Sequence, residues 1–227
     1  MIAVPPADWT PPDALRGRMA RLERLRPDHA PLLWPALDGH PEVWRWLFEG
    51  PFDRAEDHAA LIARQAESPD PAFYAVHDGA AWTGVASLMR INRGNGTIEI
   101  GNVCLSPALQ RTTAATDALA AMARAAFDAG FRRLEWKCNA LNAPSRRAAR
   151  RLGYAYEGTF RQHMVVKGLS RDTAWYAILD REWPAIRAVL DAWLEGAAAG
   201  AQPFRLSARM AAAAAELDRP PVDDPAG

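Results

Sequence analysis

At 227 residues the chain suits one domain with a full core, or at most two small ones, and one is the expectation. Its 27 basic and 27 acidic residues cancel, so no global field draws in nucleic acid or an anionic membrane. Two cysteines, Cys104 and Cys138, and five scattered histidines lack the spacing of a disulfide framework or a zinc site. No basic-then-apolar leader and no apolar run near about 18 residues is present, so a cytoplasmic protein with no bound metal is expected.

Prolines cluster at both ends, in "VPPADWTPPD" and "DRPPVDDPAG". They divide the chain into an extended N-terminal segment, 1–16, an ordered domain, 17–195, and an Ala/Pro-rich C-terminal tail, 196–227. "RMARLERL" alternates apolar and charged residues like a half-buried strand. "PEVWRWLF" and "DRAEDHAALIARQAES" read as helices, the second opened by Asp53 as a cap. "AFYAVHDGAAWTGVASLMRI" gives two strands joined through His77-Asp78-Gly79, and "TIEIGNVCLS" gives a third.

In "LSPALQRTTAATDAL" a strand end runs into a helix whose apolar stripe is Leu119, Met122, Ala123, Ala126 and Phe127, ended by Gly130. "FRRLEWKCN" is a strand with Leu134, Trp136 and Cys138 on one face. "NAPSRRAARRLGY" begins a helix with Pro144 in its first turn and Ala148, Ala149 and Leu152 inward. The strands "YAYEGTFRQHM" and "TAWYAILD" complete an α+β pattern. The tail segment "ARMAAAAAEL" is flanked by prolines, and a lone helix that short is marginal in water. It is expected to be dispensable, ordered only against a second copy in a homodimer.

The strand-to-helix junction carries one cation, Arg111, and three hydroxyls, Thr112, Thr113 and Thr116, with no carboxylate before Asp117. A helix N-terminus presents unpaired N–H groups and the positive end of the macrodipole, so such a junction can hold phosphates. It can equally be an ordinary threonine-capped helix. Asn142 and Ser145 are open in the same way, as helix caps or as ligand-binding groups. Arg146, Arg147, Arg150 and Arg151 form i,i+4 rows, either a solvated face or a phosphate contact.

Taken in order and spacing, "EIGNVCLSPALQRTTAATDAL", "NALNAPSRRAARRLGYAYEGTFR" and "RDTAWYAILDREWP" resemble the GNAT superfamily of acetyl-CoA-dependent N-acetyltransferases, in particular its RimJ/RimL-like branch. The likeness spans about residues 18 to 185. It implies an α/β (α+β) fold with a mixed, mostly antiparallel central sheet, helices on both faces, and a splayed pair formed by the fourth and fifth strands of that fold. The family's pyrophosphate loop, Q/R-x-x-G-x-G/A, falls on Gln110, Arg111, Thr112, Thr113, Ala114 and Ala115, with Thr113 where the first glycine normally sits. Thr116 follows it. The resemblance further implies that Asn142 bonds the cofactor, that Ser145 sits near the thioester sulfur, and that backbone N–H groups of Val103, Cys104 and Leu105 polarise the carbonyl. Arg147 becomes a candidate for the cofactor's 3′-phosphate.

Transfer to an amine needs a base, and Glu99, in the otherwise apolar "TIEIGNV", lies where some family members carry one. Its alternative is an outward-facing strand residue, because period two sets Glu99 with Thr97 and Gly101, opposite Ile98 and Ile100. Trp44, Trp46, Phe48, Arg161 and Tyr176 are the expected acceptor wall. The expected activity is direct acetyl transfer to a primary amine, such as a peptide or protein N-terminal α-amine. Small amines (an amino acid, antibiotic or polyamine) and a non-catalytic CoA-binding module are the alternatives.

Overall fold

The computed structural model describes residues 4–201, 205–217 and 219. Eight strands form one sheet: β1 (Ala14–Arg16), β2 (Arg21–Arg24), β3 (Ala72–His77), β4 (Trp82–Asn92), β5 (Thr97–Leu105), β6 (Arg133–Asn139), β7 (Ala155–Val166) and β8 (Leu169–Leu179). Their spatial order is β1-β2-β3-β4-β5-β6-β8-β7, antiparallel throughout except where β5 meets β6. The mixed, mostly antiparallel sheet is the expected α/β architecture.

Helices cover both faces. On one lie α3 (Thr113–Asp128), α4 (Ala143–Arg151), α5 (Trp183–Ala198) and α6 (Leu206–Ala215), whose apolar residues join Ile98, Ile100, Leu134 and Tyr176 in the larger core. On the other lie α1 (Ala30–Leu37) and α2 (Ala55–Ala66), which bury Leu33, Leu37, Leu61 and Ile62 against Phe73, Val85 and Cys104. Ile98 and Ile100 of β5 reach the larger core and Cys104, of the same parity, the smaller one, because an extra residue in β5 near Asn102 breaks its alternation. Among the described residues no helix is long and apolar enough to cross a membrane.

Two irregularities open the sheet. The β5–β6 ladder holds only Thr97↔Arg133, Ile98↔Leu134 and Glu99↔Glu135, after which the strands part. Opposite, the β4–β5 register shifts between Val85 and Ser87, where Asn102 takes a left-handed φ of 49° and its amide donates to Ser87 Oγ at 3.0 Å. A bulge of this kind bends one strand away from its neighbour, so β5 diverges while keeping its other edge paired.

Several sequence expectations change. The stretch 41–48 is no helix but a single 3-10 turn, Pro41–Trp44. On a helix Phe48 would lie beside Trp44, whereas here Trp44 is buried in the smaller core and Phe48 is half exposed. Asp53 does not cap α2; Arg54 occupies the N-cap position without a side-chain bond. The N-terminal segment supplies β1, and Asp117 explains how the β1–β2 turn is fixed. Fully buried, it accepts from Met19 N (2.7 Å) and Ala20 N (3.0 Å) and pairs with Arg124 at 3.3 Å. A Cβ on Gly17 would collide with this carboxylate.

The C-terminal segment is also not a free tail. α6 packs on α4 and α5 of its own chain, burying Leu206 and Met210, and Arg219 pairs with Glu182 at 2.9 Å while donating to the Gly153 carbonyl. Gly153, at φ 98°, is the position that lets Ile186 and Met210 approach the backbone.

Candidate active site

Where β5 and β6 separate, a cleft of about 1330 Å³ runs from the N-terminus of α3, past the start of α4, to the Trp46–Phe48 segment. Its α3 end is the junction singled out in the sequence. Thr112 caps the helix: its Oγ1 accepts from Ala115 N at 3.1 Å and donates to the Leu109 carbonyl at 2.7 Å. The Thr116 hydroxyl donates to the Thr112 carbonyl and accepts from Arg151 at 2.7 Å, so it is not a spare donor for phosphate. Arg111, exposed and at φ 62°, and the Thr113 hydroxyl have no hydrogen-bond partner among the described residues. Helix geometry leaves the N–H groups of Thr113 and Ala114 without intrahelical acceptors. The Gln110 side chain holds the end of β5 through the Leu105 carbonyl at 2.9 Å. The cap therefore leaves donors unused here, and this donor set fits a diphosphate.

The four arginines of α4 do not share one face. Arg146 is buried and donates to Tyr176 Oη (3.1 Å) and the Ala140 carbonyl (3.0 Å), whereas Arg147, Arg150 and Arg151 line the cleft. At the other end of α4, Asn142 caps the helix by accepting from Ser145 N at 3.1 Å. Ser145 Oγ accepts the Trp136 indole N–H at 2.9 Å, which aims the serine's own hydrogen elsewhere. Strand alternation alone makes Trp136 a core residue. A further signal lies in its chemistry, because a buried indole N–H needs an acceptor.

Tyr154 follows Gly153 at the end of α4, where the sequence gives no sign of a role. Its ring meets Trp136 edge-on, it lines the cleft, and its buried hydroxyl has no hydrogen-bond partner among the described residues. Burial, helped by the charge of Glu99, pushes its ionisation up.

Glu99 is buried, at 4% exposure, so it is not a solvated strand residue. Its Oε2 meets Lys137 Nζ at 2.9 Å and Arg90 Nε at 3.2 Å. Burial raises its pKa, with Lys137 and Arg90 pulling the other way. Lys137 also pairs with Glu135 at 2.6 Å and lies 4.0 Å from the Trp175 ring centroid. A glutamate set into an apolar strand and a lysine on the charged face of β6, brought together by the Glu99↔Glu135 register, is the signal for this pair.

The expected acceptor wall is partly redistributed. Trp46 and Phe48 line the cleft. Trp44 belongs to the core, edge-on to Phe52 with centroids 5.1 Å apart; Tyr176 is fully buried on the α3 side; Arg161 is exposed and lies outside the cleft lining. Alternation explains Tyr176, which stands opposite Trp136 and therefore faces the larger core. Val103 and Leu105 line the cleft, while the Cys104 side chain turns into the smaller core, its thiol pushed up to about 12 by burial. In their place the walls include Arg90, His163, Met164 and Arg171.

The family model for the acetyltransferase (GNAT) domain matches residues 20–155. Among solved structures, a GCN5-related N-acetyltransferase from Brucella melitensis is 41% identical, with 90% of this chain and 99% of that one covered at a TM-score of 0.83. A GNAT-family structure from Chromobacterium violaceum is 37% identical over 79% of this chain and 94% of its own, at a TM-score of 0.73. A Salmonella typhimurium acetyl transferase, described as modifying the N-terminal serine of ribosomal protein L7/L12, shares the fold at 21% identity and a TM-score of 0.63, covering 73% of this chain and 98% of its own. No curated protein matches the chain. A cleft at the parting of two strands, a capped helix end offering anion donors beside it, and these matches lead to one conclusion: the chain belongs to the GNAT family of acetyltransferases.

Proposed function

We propose that the protein transfers an acetyl group from acetyl-CoA directly to a primary amine, without an acyl-enzyme. The observation that carries this reading is the convergence in one cleft of a buried carboxylate, Glu99, with two hydroxyls able to give a proton, Ser145 and Tyr154. Acetyl-CoA supplies an activated acyl carbon as its thioester. Arg111 and the N–H groups of Thr113 and Ala114 would hold its diphosphate, with Arg147 and Arg151 adding positive charge at that end. Beyond Glu99 the facing edges of β5 and β6 have no ladder partner in each other, so their backbone groups are available to the amide-bearing arm.

Glu99 takes the proton of the incoming ammonium, directly or through water. Burial raises its pKa above the ordinary carboxylate value, with Lys137 and Arg90 pulling it the other way, and a carboxylate so placed can accept a proton. Ser145 Oγ, fixed by the Trp136 N–H, and Tyr154 Oη hold protons for the leaving sulfur. The buried Cys104, with its raised pKa, has no part in a covalent route.

The RimJ/RimL-like sequence motifs support a peptide or protein N-terminal α-amine as acceptor. Mass spectrometry after incubation with acetyl-CoA and a panel of N-terminally free peptides, amino acids and polyamines tests the reading. One added acetyl group on an amine is expected. CoA binding with no acetylated amine anywhere in the panel would replace the enzyme with a CoA-binding module.

A further inference from the structure

Arg171, on β8, is 8% exposed and lines the cleft on the face that carries Glu99 and Lys137. Its guanidinium lies 5.6 Å from the centroid of the Phe48 ring. It has no hydrogen bond and no ion pair among the described residues, and its Nε is buried without a partner. The neighbouring charges are already committed to one another. Arg90 and Lys137 share Glu99, Lys137 and Arg133 share Glu135, and Arg133 also holds Glu157 at 2.6 Å. Three carboxylates thus serve three cations, and Arg171 is the surplus one. The adjacent Asp172 accepts from Gln162 N at 2.6 Å, and the side chain of Thr173 bonds His163 at 3.0 Å, so neither relieves it.

Glu99, already shared by Arg90 and Lys137, acts on Arg171 without pairing with it, and a buried guanidinium with no ion pair of its own is costly unless a ligand completes it. Its planar fork matches a carboxylate, which it can bind through two parallel hydrogen bonds. A single guanidinium with no helix N-terminus beside it suits one negative charge better than the nearly two of a phosphate. The anion donors for the acetyl donor lie at the other end of the cleft, around Thr113, whereas Arg171 stands with Phe48 and Met164 at the acceptor end.

We propose that Arg171 forms the anion-recognising part of the acceptor subsite, so that the acceptor is an amine that also carries a carboxylate. The amine half of this statement rests on the transferase reading; the carboxylate half rests on Arg171 alone. The carboxylate comes either from the α-carboxylate of a free amino acid or from an acidic side chain near a peptide N-terminus.

Matched acceptor pairs separate these sources. One arm compares amino acids with their decarboxylated amines; the other compares peptides bearing Asp or Asn at the second position. In at least one arm the acid member should have a kcat/KM about tenfold higher or more, the discrimination expected of a charge-assisted bond. Arg171→Met should erase that preference, mainly through KM, and Arg171→Lys should restore part of it. A readout independent of turnover is thermal melting: N-acetylated amino acids or acidic peptides should raise Tm of the wild-type protein more than their carboxylate-free counterparts, and not that of Arg171→Met. If Arg171→Met does not fold, the wild-type pairs still decide. Equal kcat/KM within both arms would overturn the subsite while leaving the transferase reading intact. Arg171-dependent protection by carboxylates with no acetyl transfer to any amine would uphold the subsite and reject the transferase reading.

Discussion

Lys137 Nζ sits 2.9 Å from Glu99 Oε2, and the two side chains reach each other across the point where the β5–β6 ladder ends. The lysine's charge opposes the effect of burial on the carboxyl. Removing it with Lys137→Met should raise the Glu99 pKa further. A base works in its deprotonated form, so the acidic limb of the kcat/KM profile should move to higher pH, with a larger loss of rate at pH 6 than at pH 8. Glu99→Gln should delete that limb and lower kcat about a hundredfold or more, with CoA affinity kept. An unshifted limb in Lys137→Met, or normal kcat in Glu99→Gln at pH 7, would remove Glu99 from the proton path.

Trp136 acts through Ser145. Losing the indole N–H in Trp136→Phe leaves Ser145 Oγ unaimed while keeping most of the ring volume, and kcat should fall about tenfold, the worth of one hydrogen bond. Ser145→Ala should cost at least as much at every pH, because serine does not titrate in this range. The two losses should not add, since both remove one relay. Full additivity in the double variant would separate the residues.

The strand order of the site is readable because its elements are punctuated. Gly130 and Gly153 end helices, Pro144 starts one, and β6 alternates buried and half-buried residues along its length. What escapes the sequence are relationships set by distance in space. Asp117 stands out as the first carboxylate after the loop, yet only the fold reveals that it clamps a turn nearly a hundred residues earlier. The aromatic run at 44–48 carries no period that tells the core residue, Trp44, from the cleft residues, Trp46 and Phe48. Tyr176 passes for an acceptor residue until the β6–β8 register sets it opposite Trp136. The Ala-rich segment has too weak an apolar stripe to announce that Met210 would find the gap left by Gly153.

That last contact makes the C-terminal segment part of the domain. Truncation after Gly200 removes the burial of Leu206 and Met210, about 4 kcal/mol together, and takes away the part of the cleft wall that Met210 and Ala211 form. Tm should drop measurably and CoA should bind more weakly in calorimetry. Unchanged Tm and affinity would return this segment to the status of a tail.

His58 gives the fold a pH dependence of its own. It is fully buried among the rings of Trp34, Trp44 and Phe52, both its ring nitrogens lack hydrogen-bond partners among the described residues, and burial lowers its pKa below the ordinary 6.5. The folded chain therefore holds it neutral while the unfolded chain protonates near 6.5. The stability tied to this residue is present above that pH and is lost as pH falls toward the depressed value. His58→Phe keeps the aromatic contacts and should flatten the fall in Tm between pH 7 and pH 5. Parallel curves for the two proteins would contradict it.

Direct transfer is tested most plainly by rapid-mixing measurement of CoA thiol release from acetyl-CoA, with and without an acceptor amine. The arrangement of Glu99, Ser145 and Tyr154 in the cleft predicts release only when amine is present, at a rate that falls about a hundredfold in Glu99→Gln. A stoichiometric burst of thiol without amine would establish an acyl-enzyme and contradict it, and so would bound CoA with no amine-dependent release at any pH.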